Sequence, residues 1–272
     1  MRLLSTFLFT LFFATAGQAQ VNSSVSELAD AIGVPEVIEI MRSEGLETAA
    51  GLSDGFLGGP SRSWTRAADR IYDSGRMQEI VLLGMASALN GRDPEPITAF
   101  FRSELGIRII GLELSAREAF MDEGVEKASS EYVQKLRNDD PARYRLLEDF
   151  IETNELIESN VIGALNSNFA FLRGLQSSGS FESDVSEQDI LQQVWSQEAD
   201  IREETTDWLF SYLSLAYQPL TDEELEVYLD FSSTRHGKLL NKALFEGFDK
   251  MFVELSRAMG TTLGELSKAS EL

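Results

Sequence analysis

The sequence has no cysteine and only one histidine among its 272 residues, and these two shortages exclude most catalytic and metal-binding arrangements. Without cysteine there is no thiol nucleophile, no disulfide and no Cys-ligated zinc or iron–sulfur site. A single His236 also excludes zinc sites of the zincin type. Any Ser–His–Asp triad would have to use His236, but no Gly-x-Ser-x-Gly elbow accompanies it. We therefore expect no catalytic residue, no metal and no cofactor.

Basic residues are also scarce, since Lys plus Arg total 23 against 45 Asp plus Glu, which gives a formal charge of −22. Such a field repels a phosphate backbone, so nucleic acid is not an expected partner. The abundant carboxylates leave one enzymatic alternative, a carboxylate-dependent hydrolase acting on cell-envelope polymers. We favour a structural role, because acids stabilise the first turn of a helix and keep its outer face soluble. The acidic clusters are Glu198, Asp200, Glu203, Glu204 and Asp207, followed by Asp222, Glu223, Glu224 and Glu226.

Long apolar runs are missing everywhere except at the N-terminus. Arg2 is followed by an apolar stretch over 3–13, and small residues, Gly17 and Ala19, stand at the −3 and −1 positions of a cleavage site. These are the three parts of a secretory signal peptide, and the stretch is too short for a span of about 20 apolar residues. Cleavage after Ala19 removes one Arg and no acid, leaving 253 residues with a charge of −23. The sequence therefore predicts a periplasmic or secreted protein with no transmembrane segment after signal cleavage.

Two-residue alternation is almost absent from the rest of the chain, and apolar residues recur every three or four positions. This pattern predicts an all-α protein of seven to nine helices in an antiparallel bundle or array. Single helices are predicted over 61–89, 141–176 and 187–217, and the glycine-rich segment 51–60 is predicted to be a loop. The predicted organisation is a signal peptide at 1–19, N-terminal helices and a loop at 20–60, a first helical unit at 61–137, a central helix at 141–176, a second unit at 186–260 and a C-terminal tail at 261–272.

A shift of 131 residues aligns two segments, 89–109 and 220–240, with four identical residues. Their shared roles are more informative than their identity. Ser103 and Thr234 can each cap the helix that follows, and Gly106 and Gly237 occupy the third residue of that helix. Asn90 and Thr221 are both residue types that begin helices. The alignment predicts two related helix–turn–helix units.

The second segment carries a motif, Leu-Thr-x-x-Glu-Leu over 220–225, followed by Phe231, Thr234, Gly237 and Leu240. It resembles the signature of a bacterial envelope family known as a domain of unknown function, with Phe100, Ser103 and Gly106 as an upstream copy. Ser232 and Arg235 stand where that family usually has Tyr and Pro. The resemblance implies a secreted helical protein, and it implies no reaction.

Aromatic residues supply the one feature that points toward binding. A stripe at helical spacing can be core or can line a groove for a ligand or partner. We predict a non-enzymatic binding or envelope-maintenance protein whose apolar groove accepts a hydrophobic peptide, a lipid tail or a partner helix. An oligomeric helical scaffold is a further alternative. The candidate groove residues are Phe245, Phe248, Met251 and Phe252, together with Trp195 and Trp208, which are thirteen positions apart.

Overall fold

A computed structural model describes residues 23–179 and 185–271, and the predicted signal peptide lies outside these ranges. All regular secondary structure within them is helical, which confirms the all-α prediction. A first helical segment, α1, covers 23–31. It is followed by α2 (Val34–Leu57), α3 (Arg62–Ile71), α4 (Ser74–Leu89), α5 (Glu95–Phe101), α6 (Glu104–Ala119), α7 (Glu123–Asp139), α8 (Pro141–Thr153), α9 (Leu156–Ser177), α10 (Glu187–Trp195), α11 (Glu198–Ala216), α12 (Asp222–Ser233) and α13 (Arg235–Glu271).

The predicted seven to nine helices are too few, because twelve helices follow α1 within the described ranges. Three predicted single helices are each divided. Asp73 breaks 61–89 by adopting an extended backbone and accepting a hydrogen bond from the Arg76 N–H at 2.9 Å. Glu155, with a φ of 50°, breaks 141–176 in the left-handed region, which non-glycine residues rarely adopt. The predicted helix 187–217 ends at Trp195 and restarts at Glu198.

Two predictions of irregular structure are also wrong. The segment 51–60 is helical up to Leu57, and the chain leaves the helix at Gly58 with a φ of 71°. Ser53 is buried there and its hydroxyl donates to the Gly59 carbonyl at 2.7 Å, so the turn closes back on the helix. The predicted tail 261–272 continues α13 as far as Glu271, because Leu263 is fully buried against Trp64 and its neighbours.

The longest helix is α13, with 37 residues and a length of about 55 Å, and it contacts many of the other helices. It packs antiparallel to α4 and parallel to α9. Glycines bring the backbones together at both crossings. A Cβ on Gly84 would lie 2.5 Å from the Cα of Gly247, and a Cβ on Gly260 would lie 2.1 Å from the carbonyl oxygen of Phe171. Any larger residue would push the helices apart.

The two largest hydrophobic clusters of the interior meet at Tyr228. One cluster joins α1, α2 and α4 to α13 around Met77 and Met85. The other joins α6, α8, α11 and α12 around Leu147 and Leu213. Tyr228 packs against both clusters, so the boundary between them runs past α12. Among the residues described, no helix combines the length and the apolar character that crossing a membrane requires.

Candidate functional site

The two aligned segments form corners with the same local geometry. At the α5–α6 corner, the Ser103 hydroxyl accepts from the Gly106 N–H at 3.1 Å and donates to the Phe100 carbonyl at 2.6 Å. At the α12–α13 corner, the Thr234 hydroxyl accepts from the Gly237 N–H at 3.1 Å and donates to the Phe231 carbonyl at 2.6 Å.

Each corner also requires its glycine for the same reason. A Cβ on Gly106 would lie 2.3 Å from the carbonyl oxygen of Phe100, and a Cβ on Gly237 would lie 2.3 Å from that of Phe231. Real Cβ atoms do not approach backbone atoms so closely. Glycine therefore allows the first turn of the second helix to sit against the end of the first.

The starts of the two corners differ, which corrects part of the predicted alignment. Thr221 caps α12, as predicted, and it does so in a capping box with Glu224. Asn90 does not cap a helix start: it ends α4 in the left-handed region with a φ of 47°, and α5 begins only after Pro94. A proline occupies the cap position here and provides no side-chain cap, so the equivalence is restricted to the later part of each corner.

The two corners pack directly on each other through their equivalent phenylalanines. The rings of Phe100 and Phe231 stack with centroids 3.9 Å apart and planes at 9°. Phe101 meets the edge of Phe231 at 5.6 Å and the edge of Tyr228 at 6.1 Å. Phe231 and Tyr228 of this aromatic group also line a cavity at the boundary between the two hydrophobic clusters.

The cavity has a volume of about 280 Å³ and combines apolar walls with a few polar groups. Its polar side chains come from five helices or helix ends: Glu113 and Arg117 from α6, Asn154 from the end of α8, Tyr212 and Tyr217 from α11 and its end, Tyr228 and Ser232 from α12, and Asn241 from α13. We call this space the Glu113 cavity.

Glu113 is the central polar group of this cavity. Its Oε1 accepts a hydrogen bond from the Tyr217 hydroxyl at 2.7 Å, and Tyr228 also hydrogen-bonds to the carboxyl. The Tyr212 hydroxyl donates to the Glu113 backbone carbonyl at 2.9 Å. Burial raises the pKa of Glu113 to about 7, although the two tyrosine hydrogen bonds act in the opposite direction. Glu113 can therefore hold or release a proton near neutral pH.

The remaining polar groups of the cavity are paired. Arg117 binds Glu44 of α2 through two parallel hydrogen bonds of 2.7 and 3.1 Å, a geometry that fixes both side chains. The Asn241 amide donates to the backbone and side-chain oxygens of Asn154 at 2.7 and 3.0 Å. Burial raises the pKa values of Tyr217 and Tyr228 well above normal, so both phenols stay neutral hydrogen-bond donors.

A second concave feature lies between α9 and α13. This cleft of about 530 Å³ lies between two places where the helices touch, the Asn154–Asn241 pair and the Gly174–Gly260 crossing. Phe245 and Phe252, two helical turns apart on α13, line one wall. The opposite wall is formed by residues of α9: Ser159, Asn160, Ile162, Gly163, Ala164, Asn166 and Ser167.

The predicted aromatic stripe is split between this cleft and the core. Phe252 is 38% exposed and lines the cleft with Phe245, whereas Met251 is fully buried and Phe248 packs beside it in the first cluster. Trp195 lies elsewhere, 64% exposed at the end of α10. Trp208 stacks on Tyr212 at 4.9 Å in the second cluster. The two tryptophans do not share a face, because the chain breaks between α10 and α11.

The predicted acidic clusters are surface features, and some of their carboxylates form ion pairs. Glu198 binds Arg202 at 2.7 Å, Asp222 binds Arg143 at 2.7 Å, and Glu224 binds Arg108 at 2.5 Å. Glu203, Glu204, Asp207, Glu223 and Glu226 are exposed. His236 is also exposed, and no group of three or more metal-ligating side chains occurs within residues 23–179 and 185–271.

Comparison with known proteins adds no further information, because no protein-family model, no curated protein and no solved structure matches this chain.

Sequence reasoning did not identify the polar residues of the Glu113 cavity. A signal was present, since Glu113 is the only acid in the apolar segment Ile107-Arg108-Ile109-Ile110-Gly111-Leu112-Glu113-Leu114. An acid on the inner side of such a helix is seldom buried without hydrogen-bond partners. Those partners are distant in sequence, and no spacing rule connects Glu113 to Tyr217 or Tyr228.

Proposed function

We propose that this chain is an exported, non-enzymatic binding protein of the bacterial envelope, and that the cleft between α9 and α13 receives a basic amphipathic helix of a partner protein. Export rests on the signal-like N-terminal sequence. The binding role rests on one observation, the shape and chemistry of the cleft.

Exposed apolar surface inside the cleft supports binding. Ile162 and Phe252 are 48% and 38% exposed on opposite walls of the cleft. Phe245 lies on the same face of α13 as Phe252, two helical turns earlier. Large side chains of this kind, grouped in a concave surface, are typical of interaction sites. The small residues Gly163 and Ala164 leave room between them for a side chain of the partner.

The charge around the cleft selects the partner. Asp249 accepts a hydrogen bond from Asn166 across the cleft at 3.1 Å, and Glu246 binds Lys250 at 3.0 Å. The lining residues of the cleft include these two acids and no basic residue. On a chain with a formal charge of −22, this arrangement attracts a cationic partner.

The length of the cleft fits a short helical contact. Phe245 and Phe252 are separated by seven residues, or about 10 Å along the axis. A partner helix with apolar side chains at positions i, i+3 or i+4, and i+7 covers the same distance. A flanking lysine or arginine would then reach Asp249.

We further propose that the two corners derive from one duplicated helix–turn–helix unit and that the chain belongs to the envelope family its second corner resembles. The matched serine or threonine caps, the matched glycines and the contact between Phe100 and Phe231 support duplication. In the helices after the corners, the same 131-residue shift relates Ala116 of α6 to Gly247 of α13, two small buried residues.

The binding proposal can be tested with a fluorescently labelled peptide of leucine and lysine designed as an amphipathic helix. We expect the chain lacking residues 1–19 to bind it, with an affinity that falls as salt rises. Substituting Ile162→Ser together with Phe252→Ser should weaken binding at least tenfold. A matched control is Leu83→Ser with Ile107→Ser, which removes two side chains of 63% and 62% exposure outside the cleft.

The partner chemistry has its own controls. Asp249→Asn should reduce both the affinity for the peptide and its salt dependence, while a leucine–serine peptide should bind more weakly. Equal binding of the two peptides would contradict the charge argument. Binding of a fluorescent fatty acid with no binding of the peptide would indicate a lipid site. Self-association of the wild-type chain that is lost in the Ile162–Phe252 variant, measured by light scattering, would indicate an oligomeric scaffold.

Export is tested separately by expressing the full chain in a bacterium and fractionating the cells. We expect the mature protein in the periplasm or medium, starting at Gln20 by intact mass. An uncleaved product in the cytoplasm would contradict the envelope location without affecting the binding experiment.

A further inference from the structure

The Glu113 cavity contains an acid without a cation to balance it. The groups that face the Glu113 carboxyl from the helices around it are the hydroxyls of Tyr217 and Tyr228, and both are neutral. Tyr212, also on α11, donates only to the backbone carbonyl. The site therefore stabilises a negative charge by hydrogen bonds alone, and a positive charge in the cavity would stabilise it further.

The one cation at the cavity is already neutralised. Arg117 follows Glu113 by one turn on α6, but two nitrogens of its guanidinium bind the two carboxylate oxygens of Glu44. This bidentate pair holds Arg117 toward α2 and leaves Glu113 as the excess charge of the cavity. An anionic ligand would add a second negative charge to the same space, which is unfavourable at this separation.

The rest of the cavity suits a hydrocarbon body. Its walls include Phe150, Phe231, Leu213, Leu240 and Leu244, and the rings of Phe150 and Tyr228 lie 4.9 Å apart. Aromatic faces attract ammonium groups as well as apolar groups, so the aromatic wall and the carboxyl act in the same direction. A volume of about 280 Å³ accommodates a molecule of roughly ten non-hydrogen atoms, at the lower end of ligand cavities.

We propose that the Glu113 cavity binds a small organic amine, whose ammonium group pairs with the Glu113 carboxylate and whose hydrocarbon body packs against Phe150, Phe231 and Leu244. The Tyr217 and Tyr228 hydroxyls hold the carboxylate in position for this pair. The Asn154 and Asn241 amides add further polar groups to the cavity lining. The residues that line this cavity differ from those that line the proposed partner cleft, so the amine site does not rest on the proposed function.

The experiment uses phenethylamine as the probe and 2-phenylethanol and 3-phenylpropionate as the matched neutral and anionic compounds. Binding to the chain lacking residues 1–19 is measured by isothermal titration calorimetry and by chemical-shift changes in NMR spectra. We expect phenethylamine to bind at least tenfold more tightly than either compound. Because the amine favours the carboxylate form, its binding at pH 7 should release protons, seen as a dependence of the binding heat on the buffer.

The variant Glu113→Gln keeps the shape of the side chain and should weaken phenethylamine binding at least tenfold, with loss of the proton release. Glu118→Gln, on the exposed side of the same helix, should leave both unchanged. Tyr228→Phe retains the ring and tests the hydroxyl alone, with an expected weakening of several-fold. Circular dichroism verifies that each variant is folded before binding is measured.

Three results would overturn the proposal: no binding of phenethylamine to the folded wild-type chain, equal or tighter binding of the neutral or anionic compound, or unchanged affinity in Glu113→Gln. The leucine–lysine peptide is measured on the same variants as an independent readout. A loss of amine binding with intact peptide binding would identify the cavity and the cleft as separate sites.

Discussion

The two corners of this molecule share a backbone design but differ in the chemistry of the helices that follow them. Ser103 and Thr234 make the same pair of hydrogen bonds at the same distances, and Gly106 and Gly237 make room for the same carbonyl. Seven residues after each glycine the correspondence fails. Position 113 on α6 is a glutamate, position 244 on α13 is a leucine, and both line the Glu113 cavity.

The shared corner residues and the differing residues at positions 113 and 244 have different roles, one in the fold and the other in the cavity. The cap, the glycine and the stacked ring determine how two helices meet, so both corners keep them. Positions 113 and 244 line the cavity and take no part in the corner itself. A carboxyl group at one and an alkyl group at the other are therefore compatible with the same backbone. We infer that the residues of each corner serve the fold. The residues that give the cavity its chemistry lie about two helical turns after each corner.

The largest effect is expected from filling the space at the corner glycines. Gly106→Ala and Gly237→Ala each place a methyl group 2.3 Å from a carbonyl oxygen, so the two helices must separate. We expect each to lower the free energy of unfolding by roughly 3 kcal/mol or more. Denaturation by urea, followed by circular dichroism, measures both.

A matched control lies on α6 itself, since nothing lies within 4 Å of a Cβ on Gly111. Gly111→Ala should stabilise the chain by up to about 1 kcal/mol, because alanine favours helix. If Gly106→Ala were tolerated while Gly237→Ala was not, the equivalence of the corners would fail.

The second effect tests the chemical difference between positions 113 and 244. The pKa of Glu113 is raised from 4.5 to about 7, so between these values the folded chain holds a proton that the unfolded chain has released. Stability from this group is therefore present below pH 4.5 and is lost as the pH rises toward 7, by at most about 1.4 kcal/mol per pH unit.

Urea midpoints at several pH values between 4.5 and 7.5 measure this loss. The Glu113→Gln variant should remove this part of the pH dependence, and Glu118→Gln should not. A wild-type curve that runs parallel to that of Glu113→Gln across the range would contradict the assignment of the shifted carboxyl.

The corners also show how much of this structure can be predicted from the sequence. The helical class and the cap residues Thr221, Ser103 and Thr234 follow from local patterns, because a cap acts within four residues. The sequence analysis did not predict the breaks at Asp73 and Glu155. No glycine or proline stands next to Glu155, and Gly75, two residues after Asp73, lies inside α4. At 51–60 the glycine content favours a loop, but the segment is helical up to Leu57. Burial of Ser53 against the turn preserves the helix through two glycines.

The site was predictable only in part. The α13 stripe was recognised, but its division into core and cleft depends on which helices pack on each side, and period alone does not contain that information. The Glu113 cavity needed contacts more than a hundred positions apart, between Glu113 and Tyr217. The single acid in the apolar segment 107–114 of α6 was the only local signal of it.

A third prediction concerns the contact that joins the two corners. Phe100 and Phe231 are stacked, so Phe100→Leu and Phe231→Leu should each be destabilising, and the double variant should cost less than their sum. We expect a coupling free energy of about 0.5–1.5 kcal/mol from a double-mutant cycle. Strict additivity would show that the corners are adjacent without stabilising each other.

The smallest effect is expected at the caps, and it tests whether the two corners are equivalent in energy as well as in geometry. Ser103→Ala and Thr234→Ala each remove the acceptor for one first-turn N–H, at an expected cost of about 1 kcal/mol. Thr48→Ala is the control, because Thr48 lies exposed within α2 and its hydroxyl donates to the Glu44 carbonyl, so its loss should be near neutral. Urea denaturation at one pH compares all three variants. If the two substitutions lower the free energy of unfolding equally, each cap stabilises its corner locally. If Thr234→Ala is much more destabilising, the loss of the first turn of α13 also weakens the packing of α13 on α4 and α9.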